Sequence, residues 1–180
     1  LATLWRDDPR PAIWDASALD ELPAAGDEPL AGPRIITPHP GEARRLLSRL
    51  GDPGERSLDP QAERRLAARA LARVTGAVVV LKGAGSLIDD GSRLAIAISG
   101  GPGLATAGSG DCLTGFIAAL VARGLDPFMG ACAGVHLHGV AGELAVADHP
   151  GALALDIAEY AGPARVVSPT HRRWPLVRRA

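Results

Sequence analysis

Gly76 and Gly83 bracket Ala77-Val78-Val79-Val80-Leu81-Lys82, an apolar run closed by a single lysine. It has the length of one strand and none of the in–out alternation of a sheet with a wet face. It therefore reads as a strand buried on both faces, as in a parallel sheet covered by helices. A helix precedes it, with Asp59 as N-cap and Pro60 at the first helical position. Leu66, Ala67, Ala70, Leu71 and Val74 share one face, and Gly76 ends the helix.

The rest of the chain repeats the alternation of strand and helix. Pro11 to Asp15 reads as a strand, Ala16 to Leu22 as a helical turn, and Pro23 to Pro33 as a surface loop. Arg34 to Thr37 is a second strand, ending at Pro38-His39-Pro40-Gly41, an extended corner set by two prolines. Glu42 to Leu50 is a helix and Gly51 to Gly54 a turn. Ser86 to Asp89 and Arg93 to Ile98 form a hairpin about Asp90-Gly91. A glycine-rich loop, Ser99 to Gly110, runs into a helix from Asp111 to Arg123, stopped by Gly124. Asp126-Pro127 opens a helix to about Ala147 whose many glycines and alanines suit close packing. A last helix spans Leu153 to Tyr160. The expected fold is α/β, a mostly parallel central sheet flanked by helices. Residues 1–162 read as one domain and 163–180 as a basic, poorly ordered tail.

Composition narrows the function classes. A formal net charge of −1 and an aromatic content of 3% argue against nucleic acid and anionic membrane as partners. No apolar run reaches the length of a membrane span. Cys112 and Cys132 lie in apolar helical patterns without metal-site spacing and read as buried, reduced thiols, which suggests a cytoplasmic protein. The chain starts at Leu1 rather than Met, and its first residues read as running toward a strand, so the expectation is a domain missing its N-terminal part. A sheet missing strands exposes an edge, so a homo-oligomer is expected.

The chemistry concentrates in Gly108-Ser109-Gly110-Asp111. Two glycines before a helix let backbone N–H groups converge on an anion, and the helix N-terminus adds partial positive charge. An aspartate there would repel a bound phosphate unless it serves to accept a proton from a hydroxyl attacking that phosphate. The bland alternative is an N-cap aspartate. No Gly-Lys-Ser/Thr follows, so this is not a Walker P-loop.

The wider segment Gly100-Gly101-Pro102-Gly103-Leu104-Ala105-Thr106-Ala107-Gly108-Ser109-Gly110-Asp111-Cys112-Leu113-Thr114-Gly115 closely resembles a signature of the NAD(P)H-hydrate dehydratases, repair enzymes of the ribokinase-like fold. Thr37-Pro38-His39-Pro40-Gly41-Glu42 and Lys82-Gly83-Ala84-Gly85-Ser86 resemble two further signatures of that family, in the same order. The resemblance implies ADP- or ATP-dependent dehydration of NADHX and NADPHX: a ring hydroxyl is phosphorylated and phosphate is then eliminated. It implies His39 and Asp111 as substrate contacts, Asp111 as the catalytic base, and Lys82, Gly83, Ala84, Gly85, Ser86 and Gly110 as nucleotide contacts. Mg2+ is expected with the nucleotide, and no metal-ligand residues are assigned. Asp15-Ala16-Ser17-Ala18-Leu19 resembles a further family segment, with Ser17 in place of an acid; Gly101 and Leu104 also depart from the family pattern. His136, His138 and His149 lie outside these motifs and read as packing or surface residues. Two other readings stand beside this one: a related small-molecule kinase of the same fold, and a catalytically inactive truncated chain.

Overall fold

The computed structural model describes residues 1–23, 29–166 and 176–179. The chain forms two compact units, Leu1–Ala95 with the chain end from Val177, and Ile96–Leu176.

The first unit opens with a helix, α1 (Ala2–Asp7), where the sequence read as running toward a strand. Strand β1 (Ala12–Trp14) leads into a 3-10 helix over Ala16–Glu21. Then come β2 (Arg34–Ile36), α2 (Pro40–Leu50), α3 (Arg64–Thr75), β3 (Val78–Leu81), β4 (Leu87–Asp89) and β5 (Arg93–Ile96). The sheet follows chain order and ends in β6 (Leu176–Arg179). Strands β1, β2 and β3 run parallel, pairing Trp14 with Ile36 and Ile36 with Val79, whereas β4 returns antiparallel to β3. The sheet is therefore mixed, with its parallel part at the N-terminal side. β3 is buried along its whole length, as its apolar run requires. Part of the loop expected over 23–33, residues 24–28, lies outside the described residues. So do 167–175 and 180 of the tail, whose Leu176–Arg179 form β6.

Helix α3 corrects two expectations. It begins at Arg64 rather than after Asp59, because the Asp59 carboxylate is used in a turn, accepting from the Gln61 N–H at 2.9 Å and from Arg44 at 2.6 Å. Leu66 is 59% exposed. Ala67, Ala70, Leu71 and Val74 of the expected face are buried together with Ala68, Ala72 and Thr75, and of that face Leu66 alone turns outward.

The anchor of this unit is Arg34, whose side chain is buried at the start of β2. Its guanidinium donates to five main-chain carbonyl oxygens, those of Leu4, Trp5, Asp8, Arg10 and Pro33. The carbonyls of Leu4 and Trp5 belong to α1, so one side chain ties α1 and the Asp8–Arg10 turn to the sheet. Burial pulls the Arg34 pKa down from the usual arginine value, and Asp8 partly offsets that. Trp5 packs edge-on against Trp14, with centroids 5.3 Å apart. Around them Leu19, Leu22, Ile36, Leu46, Leu47, Leu71, Val79 and Leu81 close the core.

The second unit holds a 3-10 turn over Pro102–Leu104 and the helices α4 (Ser109–Val121), α5 (Pro127–Asp148), α6 (Ala154–Glu159) and α7 (Ala161–Ala164). Asp126 caps α5 by accepting from the Met129 N–H at 3.1 Å, as the Asp-Pro pair predicted. The glycines of α5 serve close approach: a Cβ on Gly134 would meet Ile117 at 2.6 Å, and one on Gly142 would meet Leu104 at 2.3 Å. His138, on α5, is buried and shares a 3.2 Å hydrogen bond between its Nε2 and the Ser109 Oγ, with Phe116 edge-on at 5.7 Å. It packs as the sequence suggested, and it also pins the first residue of α4. Burial holds the imidazole pKa down at about 4, against a smaller opposing effect of Ser109.

Two outcomes follow from these contacts. Arg34→Met leaves the carbonyls of α1 and the adjacent turn without donors and costs at least about 3 kcal/mol in urea unfolding. Arg45→Ala, which breaks only the exposed pair with Asp20, costs under about 1 kcal/mol. His138 is neutral in the fold and charges at about pH 4, whereas the unfolded chain takes up that proton near pH 6.5. Its stabilising contribution is complete above the unfolded pKa and is lost as pH falls through this window, by roughly 3 kcal/mol at most. Urea midpoints measured from pH 7 to pH 4 fall less in His138→Gln than in the parent protein.

Candidate functional site

The three parallel strands end at Trp14, Ile36 and Leu81, and the next residues are Asp15, Thr37 to His39, and Lys82. Ligands of open α/β sheets bind outside such carboxyl ends. The fold therefore brings two of the signatures to one edge of the first unit. Thr37 is buried, and its N–H donates to the Trp14 carbonyl at 3.1 Å. The Lys82 N–H donates to the Pro38 carbonyl at 2.9 Å.

His39 is the N-cap of α2. Its Nδ1 accepts from the N–H groups of Gly41 and Glu42, at 3.0 and 3.3 Å, while the Glu42 carboxylate accepts from the His39 N–H at 2.7 Å. This reciprocal pair is a capping box with histidine in the place of serine or threonine. Accepting at Nδ1 leaves that nitrogen bare, so in the neutral ring the proton sits on Nε2. The prolines alone did not show this; the Pro-His-Pro-Gly corner is the start of a helix.

Lys82 lies between two carboxylates. Its Nζ is 2.8 Å from Asp15 Oδ1 and 3.8 Å from Glu42 Oε2, and all three side chains are largely buried. The ammonium thus bridges the ends of β1 and β3 and the start of α2. Ala16, directly after Asp15, adopts φ 51, a left-handed conformation that costs an L-residue about 1 kcal/mol. Such strain concentrates at functional positions. After Lys82, Gly83 has φ 141, a conformation open to glycine, and the Ser86 hydroxyl donates to the Gly83 carbonyl at 3.2 Å.

Gly110 and Asp111 belong to the second unit. Gly108 is the N-cap of α4, at φ 81, and Asp111 sits in the first turn, three residues on. The expected N-terminus at Asp111 is therefore two residues late, and Asp111 is not a cap. The first intrahelical bond runs from the Cys112 N–H to the Gly108 carbonyl at 3.1 Å. The N–H groups of Gly110 and Asp111 precede it and have no place in the helical ladder. A glycine cap offers no side chain to them, whereas α2 and α5 are capped by His39 and Asp126. Asp111 is exposed and Ser109 buried, so the two polar residues of this turn face different surroundings. Cys112 donates from Sγ to the Ala154 carbonyl at 3.0 Å, and burial, helped by Asp111, pushes its thiol pKa up. It is a packing thiol, not a nucleophile.

Sequence reading missed the partners: Asp15 on Lys82, Glu42 in the capping box, Ser109 on His138, and Arg64 on the Lys82–Ser86 loop. The first three carried a signal, since Asp15, Glu42 and Ser109 lie inside segments already singled out; Arg64 carried none.

Residues 2–162 match the family model described as NAD(P)H-hydrate dehydratase. The bifunctional NAD(P)H-hydrate repair enzyme of Vibrio cholerae is 44% identical over 149 residues, covering 82% of this chain and 28% of that protein. The ADP-dependent (S)-NAD(P)H-hydrate dehydratase of Neisseria meningitidis is 41% identical over 144 residues, covering 75% of this chain and 45% of that one. The structure of the ADP/ATP-dependent NAD(P)H-hydrate dehydratase of Bacillus subtilis, co-crystallized with ATP and Mg2+ and soaked with CoA, superposes with a TM-score of 0.72 at 31% identity. That likeness covers 86% of this chain and 55% of the other. The chain thus spans less than half the length of these two curated relatives. With three signatures in order, a ribokinase-like layering of strands and helices and this similarity across most of its length, the chain belongs to the NAD(P)H-hydrate dehydratase family.

Proposed function

We propose that this protein performs the nucleotide-dependent dehydration of NADHX and NADPHX to NADH and NADPH. The observation that carries the reading is the uncapped first turn of α4. It presents two backbone N–H donors to an anion and has a carboxylate, Asp111, in the same turn. In this reading Gly110 contacts the nucleotide phosphates. Asp111 takes the proton of the ring hydroxyl as that oxygen attacks the terminal phosphorus and displaces the shortened nucleotide; phosphate then leaves by cleavage of the ring C–O bond, with loss of a proton from the adjacent ring carbon, and the ring double bond returns. Phosphorylation is what makes the hydroxyl a competent leaving group.

Lys82 to Ser86 hold the nucleotide, and His39 contacts the hydrated nicotinamide through Nε2, which makes no capping bond and lies 3.5 Å from Glu42 Oε1. ADP or ATP as co-substrate is supported by the names of the Neisseria meningitidis and Bacillus subtilis proteins. Among the described residues no group of three or more His, Cys, Asp or Glu side chains is placed to hold a metal ion. The pair Asp15 and Glu42 already faces the Lys82 ammonium. Mg2+ would arrive with the nucleotide and would neutralise phosphate charge there; no residue of this chain is assigned as its ligand. A reducing, cytoplasmic setting, expected from two cysteines in apolar helical patterns, is part of this reading. Self-association belongs to the same reading and is checked by light scattering.

ADP raises the melting temperature, because a ligand of the folded state alone stabilises it by about 2.7 kcal/mol at a hundredfold excess over Kd. Lys82→Glu reduces that shift. Asp111→Asn abolishes recovery of NADH from NADHX, followed by absorbance, with a loss of about 10²–10⁴ in rate. ADP affinity by calorimetry persists or tightens, since a negative charge beside the phosphates is gone. Retained turnover refutes Asp111 as the base.

A further inference from the structure

Arg64, the first residue of α3, reaches across to the Lys82–Ser86 loop. Its Nη2 donates to the Leu81 carbonyl at 3.3 Å and to the Gly85 carbonyl at 3.2 Å, so one guanidinium clasps both ends of the loop. It also presses on the middle: a Cβ on Gly83 would lie 2.5 Å from Nη1 and 3.3 Å from Cζ. The backbone angle at Gly83 requires glycine, and the tip of the arginine packs against it.

The charge of Arg64 is managed differently from those of Arg69 and Arg73 on the same helix. Arg69 pairs with the buried Asp89, and Arg73 pairs with Asp52 and Glu55. Among the described residues no carboxylate pairs with Arg64. Its partners are two neutral carbonyl oxygens, and burial pulls its pKa down. A half-buried cation held by neutral acceptors is incompletely compensated, and the compensation it lacks is an anion. Arginine suits this task, because its planar fork can bind carbonyls on one edge and phosphate oxygens on another.

We propose that Arg64 is a nucleotide-binding residue that contacts a phosphate of the nucleotide held by the Lys82–Ser86 loop. The inference rests on the assignment of that loop to the nucleotide. No bond is made or broken by Arg64; it binds charge.

The test is ADP binding by calorimetry at several salt concentrations, on the parent chain and on Arg64→Gln, which keeps amide donors and loses the charge. The expected result is a Kd weakened roughly tenfold to hundredfold, with a flatter dependence on salt. A weaker Kd with the parent's salt slope means that Arg64 only shapes the loop, and overturns the contact. An unchanged Kd overturns it as well. If Arg64→Gln lacks the parent's thermal transition, Arg64→Lys decides. It keeps the charge but not the fork, so a weaker Kd with the parent's salt slope upholds the contact, and an unchanged Kd overturns it. A parent chain that binds no ADP, or one whose affinity Lys82→Glu and Gly85→Val leave unaltered, refutes the nucleotide loop itself and the inference with it.

Discussion

Parallel pairing of β1, β2 and β3 is the constraint on which the first unit rests. Parallel strands send their carboxyl ends in one direction, and here each strand ends one residue before a polar group: Asp15, Thr37 and Lys82. Side chains 67 residues apart in sequence, Asp15 and Lys82, thereby come within a hydrogen bond. At the opposite end of β2, the buried Arg34 gathers the carbonyls of α1 and the following turn. One central strand is thus held by an arginine at its start, and its continuation carries His39 at its end.

The charged groups of this chain fall into two physical kinds. Some are closed. Asp89 is buried and takes Arg69 at 2.8 and 2.9 Å together with the Gly91 N–H, so its capacity is filled by structure. Others are left partly open. Arg64 rests on neutral carbonyls, and the first turn of α4 begins with a glycine that cannot cap it. Open donors and cations are costly to keep in a folded chain. They lie on, or against, segments that carry the family signatures, and are therefore read as places for a phosphorylated ligand. Helices α2 and α5 mark the contrast, since each ends its donors on a side chain of its own.

Local chemistry explains what was legible in the sequence. The apolar run before Lys82 could only be a buried strand, Asp126-Pro127 could only open a helix, and the glycines of α5 announced close packing. The motif residues were legible as residue types: a glycine pair before a helix, a lysine after a strand, a histidine between prolines. Boundaries were less so. Asp59 looked like a cap and closes a turn, and Asp111 looked like the start of a helix that begins at Ser109, because a glycine cap leaves no side-chain signal.

Taken alone, the amino-acid order determined most elements, though not α1 or β6, together with the fold class and the family, since propensity, period and motif are properties of neighbours in the chain. Tertiary structure decided the partners. That Arg64 lies on the Lys82–Ser86 loop, that Asp15 holds Lys82, and that His138 is buried against Ser109 depends on which strand pairs with which and on how closely helices approach. Those contacts join residues 17 to 67 positions apart, and no local pattern specifies a pairing at that range. The charge a group keeps or shares is set there, by burial and by the company the fold supplies.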